Sequence, residues 1–167
     1  TLLGAPINTG EAMDSALISR CEDLSRAIDR LAVISAHDAL ILLRSSFSAP
    51  KLLHTLRSAP CAGHPTLGKF DDLLGGSICT ITNTDLTDVQ WIHASLPVRS
   101  GGLGIRRVAS LAPSAFLASA AGTRDLQDSI LHRCLPTTDT ATDKILALWQ
   151  ERHITACPVG PAAAKQR

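Results

Sequence analysis

Six apolar residues, Met13, Leu17, Cys21, Leu24, Ile28 and Leu31, recur at intervals of 4-4-3-4-3. That spacing draws one stripe along an α-helix and is incompatible with a strand, whose side chains alternate between two faces. Asp14, Arg20, Glu22, Asp23, Arg26, Asp29 and Arg30 fall mostly off the stripe. The pattern predicts a long helix from Gly10 to Val33, packed on one side only. Thr9 is placed to cap it, and Glu11 and Asp14 lie near its positive end.

The rest of the chain follows the same preference. It has 167 residues, 45% of them hydrophobic, yet it contains no tyrosine and is only 3% aromatic. Leu and Ala favour helix, while the aromatic and β-branched residues that favour strands are scarce. Ser35-x-x-Asp38 opens a second helix, Ala36 to Ser45, in which Leu40, Ile41, Leu42 and Leu43 are apolar on most sides and predict a central position. Pro50 suits the first turn of a third helix, Lys51 to Arg57. A fourth covers residues 66–82, where Gly75-Gly76 signals a bend or an early end. Thr84 to His93 reads as a short capped helix or a turn, anchored by Leu86, Val89, Trp91 and Ile92. Beyond it, Arg106 to Ala121 is helical, with Pro113 either a kink or a first-turn residue and Gly122 a stop. Residues 124–134 and 140–152 give two more helices, the second capped from the Thr140-Ala-Thr-Asp143 signal.

Between the fifth and sixth helices lies a turn-rich joint, Ser95-Leu96-Pro97-Val98-Arg99-Ser100-Gly101-Gly102-Leu103-Gly104, followed by Ile105, Arg106 and Arg107. Residues 1–8 read as a short extended piece because Gly4 and Pro6 oppose helix. The expected fold is thus mainly α: a bundle of about six to eight helices with a short extended N-terminal segment and a Pro/Gly joint at 95–104. Residues 1–157 form one helical domain, and 158–167, with Gly160, Pro161 and a terminal Lys-Gln-Arg, form a flexible tail.

Net charge is +1, so no global field draws the chain to nucleic acid or membrane. The distribution is uneven. Residues 39–70 hold Arg44, Lys51, Arg57 and Lys69 with no acid, and residues 89–124 hold Arg99, Arg106, Arg107 and Arg124, again with no acid. These windows are either chance segregation on a solvated surface or, if the fold brings them together, one surface facing a polyanion. Lys51, His54 and Arg57 share a helix at three-residue spacing and fall near one face. Arg99, Arg106 and Arg107 flank the backbone N–H groups of Gly101, Gly102 and Gly104, an arrangement that suits an anion nest. The alternative is that these glycines only let the chain turn while the arginines cap helices or pair with acids.

Other chemistry finds little footing. No Walker Lys-Ser/Thr follows the glycines, and no G-x-S-x-G elbow occurs. Asp71-Asp72, the one Asp pair, reads as a solvated helix face rather than a metal site. His132, Cys134, His153 and Cys157 are zinc-competent, but their spacing does not reproduce a knuckle, and Cys61 with His64 is an isolated pair. No metal ligand is assigned. Cys21 and Cys79 read as small core residues. Five cysteines is an odd count, which suits reduced thiols in an intracellular protein. No signal peptide is visible, and the longest uncharged run, 108–123, is too interrupted to span a membrane. The start at Thr1 suggests a fragment or processed product.

Several stretches taken together resemble the region just after the palm of a reverse transcriptase of the non-long-terminal-repeat retrotransposon type. Thr1-Leu2-Leu3-Gly4-Ala5-Pro6-Ile7 resembles the strand that closes the palm. Ala39–Arg44 and Pro50–Pro60 resemble the helical thumb, and Trp91-Ile92-His93-Ala94-Ser95-Leu96-Pro97 with Gly101-Gly102-Leu103-Gly104-Ile105-Arg106 resembles the joint beyond it. Leu111–Ala120 resembles the helix that follows. The resemblance covers residues 1–122 and implies a thumb-like domain that grips a template–primer duplex through Lys51, His54, Arg57, Arg99, Gly101, Gly102, Gly104, Arg106 and Arg107. It implies as partners an RNA/DNA duplex and the palm of the same protein, no membrane, and a nuclear or cytoplasmic location. The parent polymerase uses Mg2+ bound by palm aspartates that this chain lacks, so no cofactor and no polymerase activity are expected of the chain alone. The competing expectation is a non-enzymatic helical scaffold or an inactive remnant.

Overall fold

The computed structural model describes residue 6, residues 10–130 and residues 139–152. Seven α-helices lie in that part of the chain, and among the described residues there is no strand. They are α1 (Glu11–Leu31), α2 (Ala36–Leu42), α3 (Ala49–Ser58), α4 (Pro65–Thr82), α5 (Asp88–Ala94), α6 (Val108–Ile130) and α7 (Thr140–Arg152). A wide π-type turn, Leu43–Phe47, joins α2 to α3, and a 3-10 turn, Val98–Ser100, lies within the joint. The mainly α fold is as expected. The extended segment 1–8, the tail 158–167 and the cap Thr9 fall outside the described residues, Pro6 apart.

The predicted stripe organises the core. Met13, Leu17, Leu24 and Leu31 of α1 are buried and meet Leu67, Phe70, Leu74 and Ile78 of α4. Leu52 and Leu56 of α3 complete this core with Ile105, Val108 and Ala112 around the start of α6. A smaller cluster, Leu117 of α6 with Ile145 and Trp149 of α7, lies beside it. Each fully buried Leu or Phe removes enough apolar surface to contribute about 1.5–3 kcal/mol.

Four expectations about elements are corrected. Of the four apolar residues expected to be central, Leu43, in the turn just after α2, is fully buried and Leu40 packs against the core, but Ile41 and Leu42 are 41% and 40% exposed, because a seven-residue helix has room to pack along one face only. Gly75-Gly76 does not end α4, which runs on to Thr82; the bare Gly75 lets the Trp91 ring lie against the helix, 3.5 Å from where a Cβ would stand. Gly122 does not stop α6, which runs on to Ile130. A helical glycine costs about 1 kcal/mol, too little to end a helix unless the chain turns left-handed there. Residues 124–130 therefore belong to α6, with Pro113 inside the same helix, and 131–134 lie outside the described residues. The cap of α7 is Asp139, whose carboxylate accepts the Ala141 and Thr142 N–H groups. Among the described residues, no helix is long and apolar enough to cross a membrane.

Candidate functional site

Residues from the two acid-free windows meet. A groove of about 370 Å³ between α3 and α6 is lined by Arg44, Ser48, Pro50, Leu53 and Arg57 on one side and by Gly104, Arg106, Leu111, Ser114, Ala115 and Ala118 on the other. All three arginines are exposed, and no acid is among the described residues that line it. Close packing of α3 on α6, helped by the small Ala112, Ala115 and Ala118, brings the windows together.

Arg44 was not among the site residues predicted, although it lies in the first window. It stands in the π-type turn, where the Ser48 N–H reaches back five residues to the Leu43 carbonyl at 2.9 Å and the Ser48 hydroxyl donates to the Arg44 carbonyl. The apolar pattern of this stretch does not single Arg44 out, because what admits Arg44 to the groove is a glycine in the distant joint. Gly104 receives it. At φ +76 and without a side chain, Gly104 leaves room for the Arg44 stem, whose Cδ lies 3.0 Å from where a Cβ would stand.

The predicted face of Lys51, His54 and Arg57 divides. Positions six apart differ by about 120° around a helix, too far for one face. Lys51 is half-buried and pairs with Asp23 of α1 at 3.3 Å, whereas Arg57 lines the groove. Asp23 also takes Arg26 at 2.6 Å, and these partners, Lys51 foremost, hold its carboxyl below the usual range. His54 is exposed and is not among the groove-lining residues, nor is Arg99.

The anion nest is also corrected. The joint uses its own amides: Gly101 N–H donates to the Val98 carbonyl, Gly102 to Pro97, Leu103 to Ala94 and Gly104 to Leu96. A loop this short satisfies its backbone internally, so Gly101, Gly102 and Gly104 offer no N–H to a ligand. Gly102 is required for another reason. A Cβ there would stand 2.1 Å from the Leu96 carbonyl oxygen and 2.7 Å from that of His93.

Arg106 and Arg107 diverge. Arg106 lines the groove, while Arg107 turns toward α4, its Nε buried without a hydrogen-bond partner and 4.0 Å from Asp71 Oδ2. Asp71 is not on a solvated face. It is 2% exposed, and its carboxylate accepts the Val108 N–H at 2.6 Å and the Ala109 N–H at 3.1 Å. Burial pushes its pKa up, opposed by these two N–H groups and by Arg107. Only Asp72 of the pair is exposed, as expected. The sequence carried no signal for the role of Asp71, because its partners lie 37 and 38 residues away.

Both nitrogens of His64 are engaged: Nδ1 accepts the Thr66 N–H and caps α4, and Nε2 sits 2.6 Å from Asp14 Oδ1. Cys61 is buried, which pushes its thiol up to about 11. Among the described residues, no three His, Cys, Asp or Glu side chains form a metal-holding group. His132, Cys134, His153 and Cys157 lie outside the described residues.

No family model, no curated protein and no solved structure matches the chain.

Proposed function

We propose that the arginine groove bears on the phosphates of a nucleic-acid duplex, and that the chain is the thumb-like, post-palm part of a reverse transcriptase of the non-long-terminal-repeat retrotransposon type. The observation that carries this reading is the convergence of Arg44, Arg57 and Arg106, from two acid-free windows, on one groove. Three guanidinium groups, with no acid among the described residues that line the groove, suit a sequence-independent phosphate contact. The ordered motifs from Thr1 to Ala120 support the retroelement origin, and with it a palm and a template–primer duplex as partners and a nuclear or cytoplasmic location. In that setting the chain's work is to hold the duplex by charge. The family's Mg2+ does not fit here: Asp71 is committed to two backbone amides and stands in no cluster of donors among the described residues.

Fluorescence anisotropy of a labelled RNA–DNA duplex across a salt series tests the grip. Three phosphate contacts predict a log–log slope of about −2 to −3. Arg44→Ala/Arg57→Ala/Arg106→Ala abolishes most of that slope, while Lys51→Ala, whose partner is Asp23, leaves it unchanged. Absent or salt-insensitive binding, or a triple variant that binds like wild type, rules the reading out.

A helical interaction module is the second reading. It draws on Ile34 and Leu42, 43% and 40% exposed, which share a cleft with Leu31, Phe47 and Lys51. Sedimentation that finds a monomer at all concentrations, without apolar dye binding, counts against it.

A further inference from the structure

Asp71 lies mid-way along α4, on a different helix from the groove, yet both its oxygens are spent on the first two amides of α6. Those amides have no partner within their own helix. A cap ordinarily comes from the residue just before the helix. Here Arg107 occupies that position, and the capping group is supplied from 37 residues upstream. The chain on either side of Arg106 is pinned as well. Ile105 and Val108 are both fully buried, and the joint before them closes its own amides on its own carbonyls. Arg106 is thus an exposed residue on a stretch of backbone held at both ends.

We infer that Asp71 is a positioning residue for the groove: by clamping the start of α6 to α4 it fixes the backbone from which Arg106 reaches the groove beside Arg44 and Arg57. The inference rests on the reading of the groove as a phosphate site. Its physical content is preorganisation. A guanidinium whose backbone is already ordered loses less freedom when it engages a phosphate than one on a loose loop. Asp71 touches no ligand, and its effect passes wholly through Arg106.

A double-mutant cycle tests this, with the labelled RNA–DNA duplex as probe and the full chain throughout. Asp71→Asn keeps the size of the side chain but has one acceptor oxygen where two amides need one each. Arg106→Ala is expected to reduce the salt slope by about one. Asp71→Asn is expected to reduce it by the same amount, and the double variant to lose nothing further. Asp72→Asn, on the exposed neighbour, leaves slope and affinity unchanged. A role in stability alone lowers the melting temperature but leaves the slope intact and Arg106→Ala at full effect in the Asp71→Asn background, and that result overturns the inference while the phosphate reading stands. A wild type that does not bind overturns the phosphate reading, and the inference with it. If Asp71→Asn does not fold, Ala109→Pro removes the N–H that Asp71 Oδ2 accepts, within the first turn of α6, where that N–H has no partner in its own helix. The same cycle is then run on that variant: a diminished Arg106→Ala effect supports the clamp, and a full-sized one overturns it.

Discussion

Gly102→Ala isolates the joint. The added Cβ would stand 2.1 Å from the Leu96 carbonyl oxygen, 2.6 Å from its carbon and 2.7 Å from the His93 carbonyl oxygen. All three neighbours are backbone, so no side-chain rotation relieves the overlap. The joint must open, and the bonds at risk are those that close it: Gly102 N–H to Pro97 at 3.2 Å and Gly104 N–H to Leu96 at 2.9 Å. At about 1 kcal/mol net for each, with more where a freed group stays buried, the loss is about 2–3 kcal/mol. For a chain of this size that lowers Tm by about 4–12 °C. Gly76→Ala is the matched control. It lies inside α4 with nothing within 4 Å of the new methyl group, so it gains about 0.5–1 kcal/mol from helix propensity alone. Urea unfolding followed by far-UV circular dichroism measures both, and unchanged m-values keep the comparison two-state. Wild-type stability in Gly102→Ala, or a Gly76→Ala that is the more damaging of the two, refutes the backbone overlap at Gly102.

Two further predictions concern single groups. Burial pushes the Cys61 thiol up to about 11 from a usual value near 9, so the unfolded chain ionises first. Stability is intact below pH 9 and falls as pH rises from 9 to 11, by about 3 kcal/mol in total. Cys61→Ala flattens that decline, and a Cys61→Ala profile parallel to wild type refutes the assignment. Thr87 and Gln90 form a reciprocal cap on α5, with the Thr87 N–H 2.8 Å from Gln90 Oε1 and the Gln90 N–H 3.4 Å from Thr87 Oγ1. Thr87→Ala costs about 1 kcal/mol and shows as faster amide exchange along α5; unchanged protection there refutes a stabilising cap.

The helices themselves were legible in the sequence. The stripe from Met13 to Leu31, the proline in the first turn of α3 and the apolar spacing of α4 are local patterns, and the 3.6-residue repeat is a property of neighbouring residues. Composition was enough to exclude a strand-rich fold. The presence of two acid-free windows could also be read directly, because charge along a chain needs no structure to count.

Which residues from those windows share a surface was settled only by the tertiary structure. Arg44 joined the groove because Gly104, in the distant joint, leaves room for its stem. Lys51 left it because Asp23, on another helix, stands within 3.3 Å. Gly101, Gly102 and Gly104 proved to be closed by carbonyls of their own loop. Asp71 left solvent because the unpaired amides of α6 came to rest against α4. In each case the deciding partner is set by how elements pack or how a loop closes on itself. The periodicity of a segment says which of its faces is apolar, but not which charge or amide the packed chain will bring against the other.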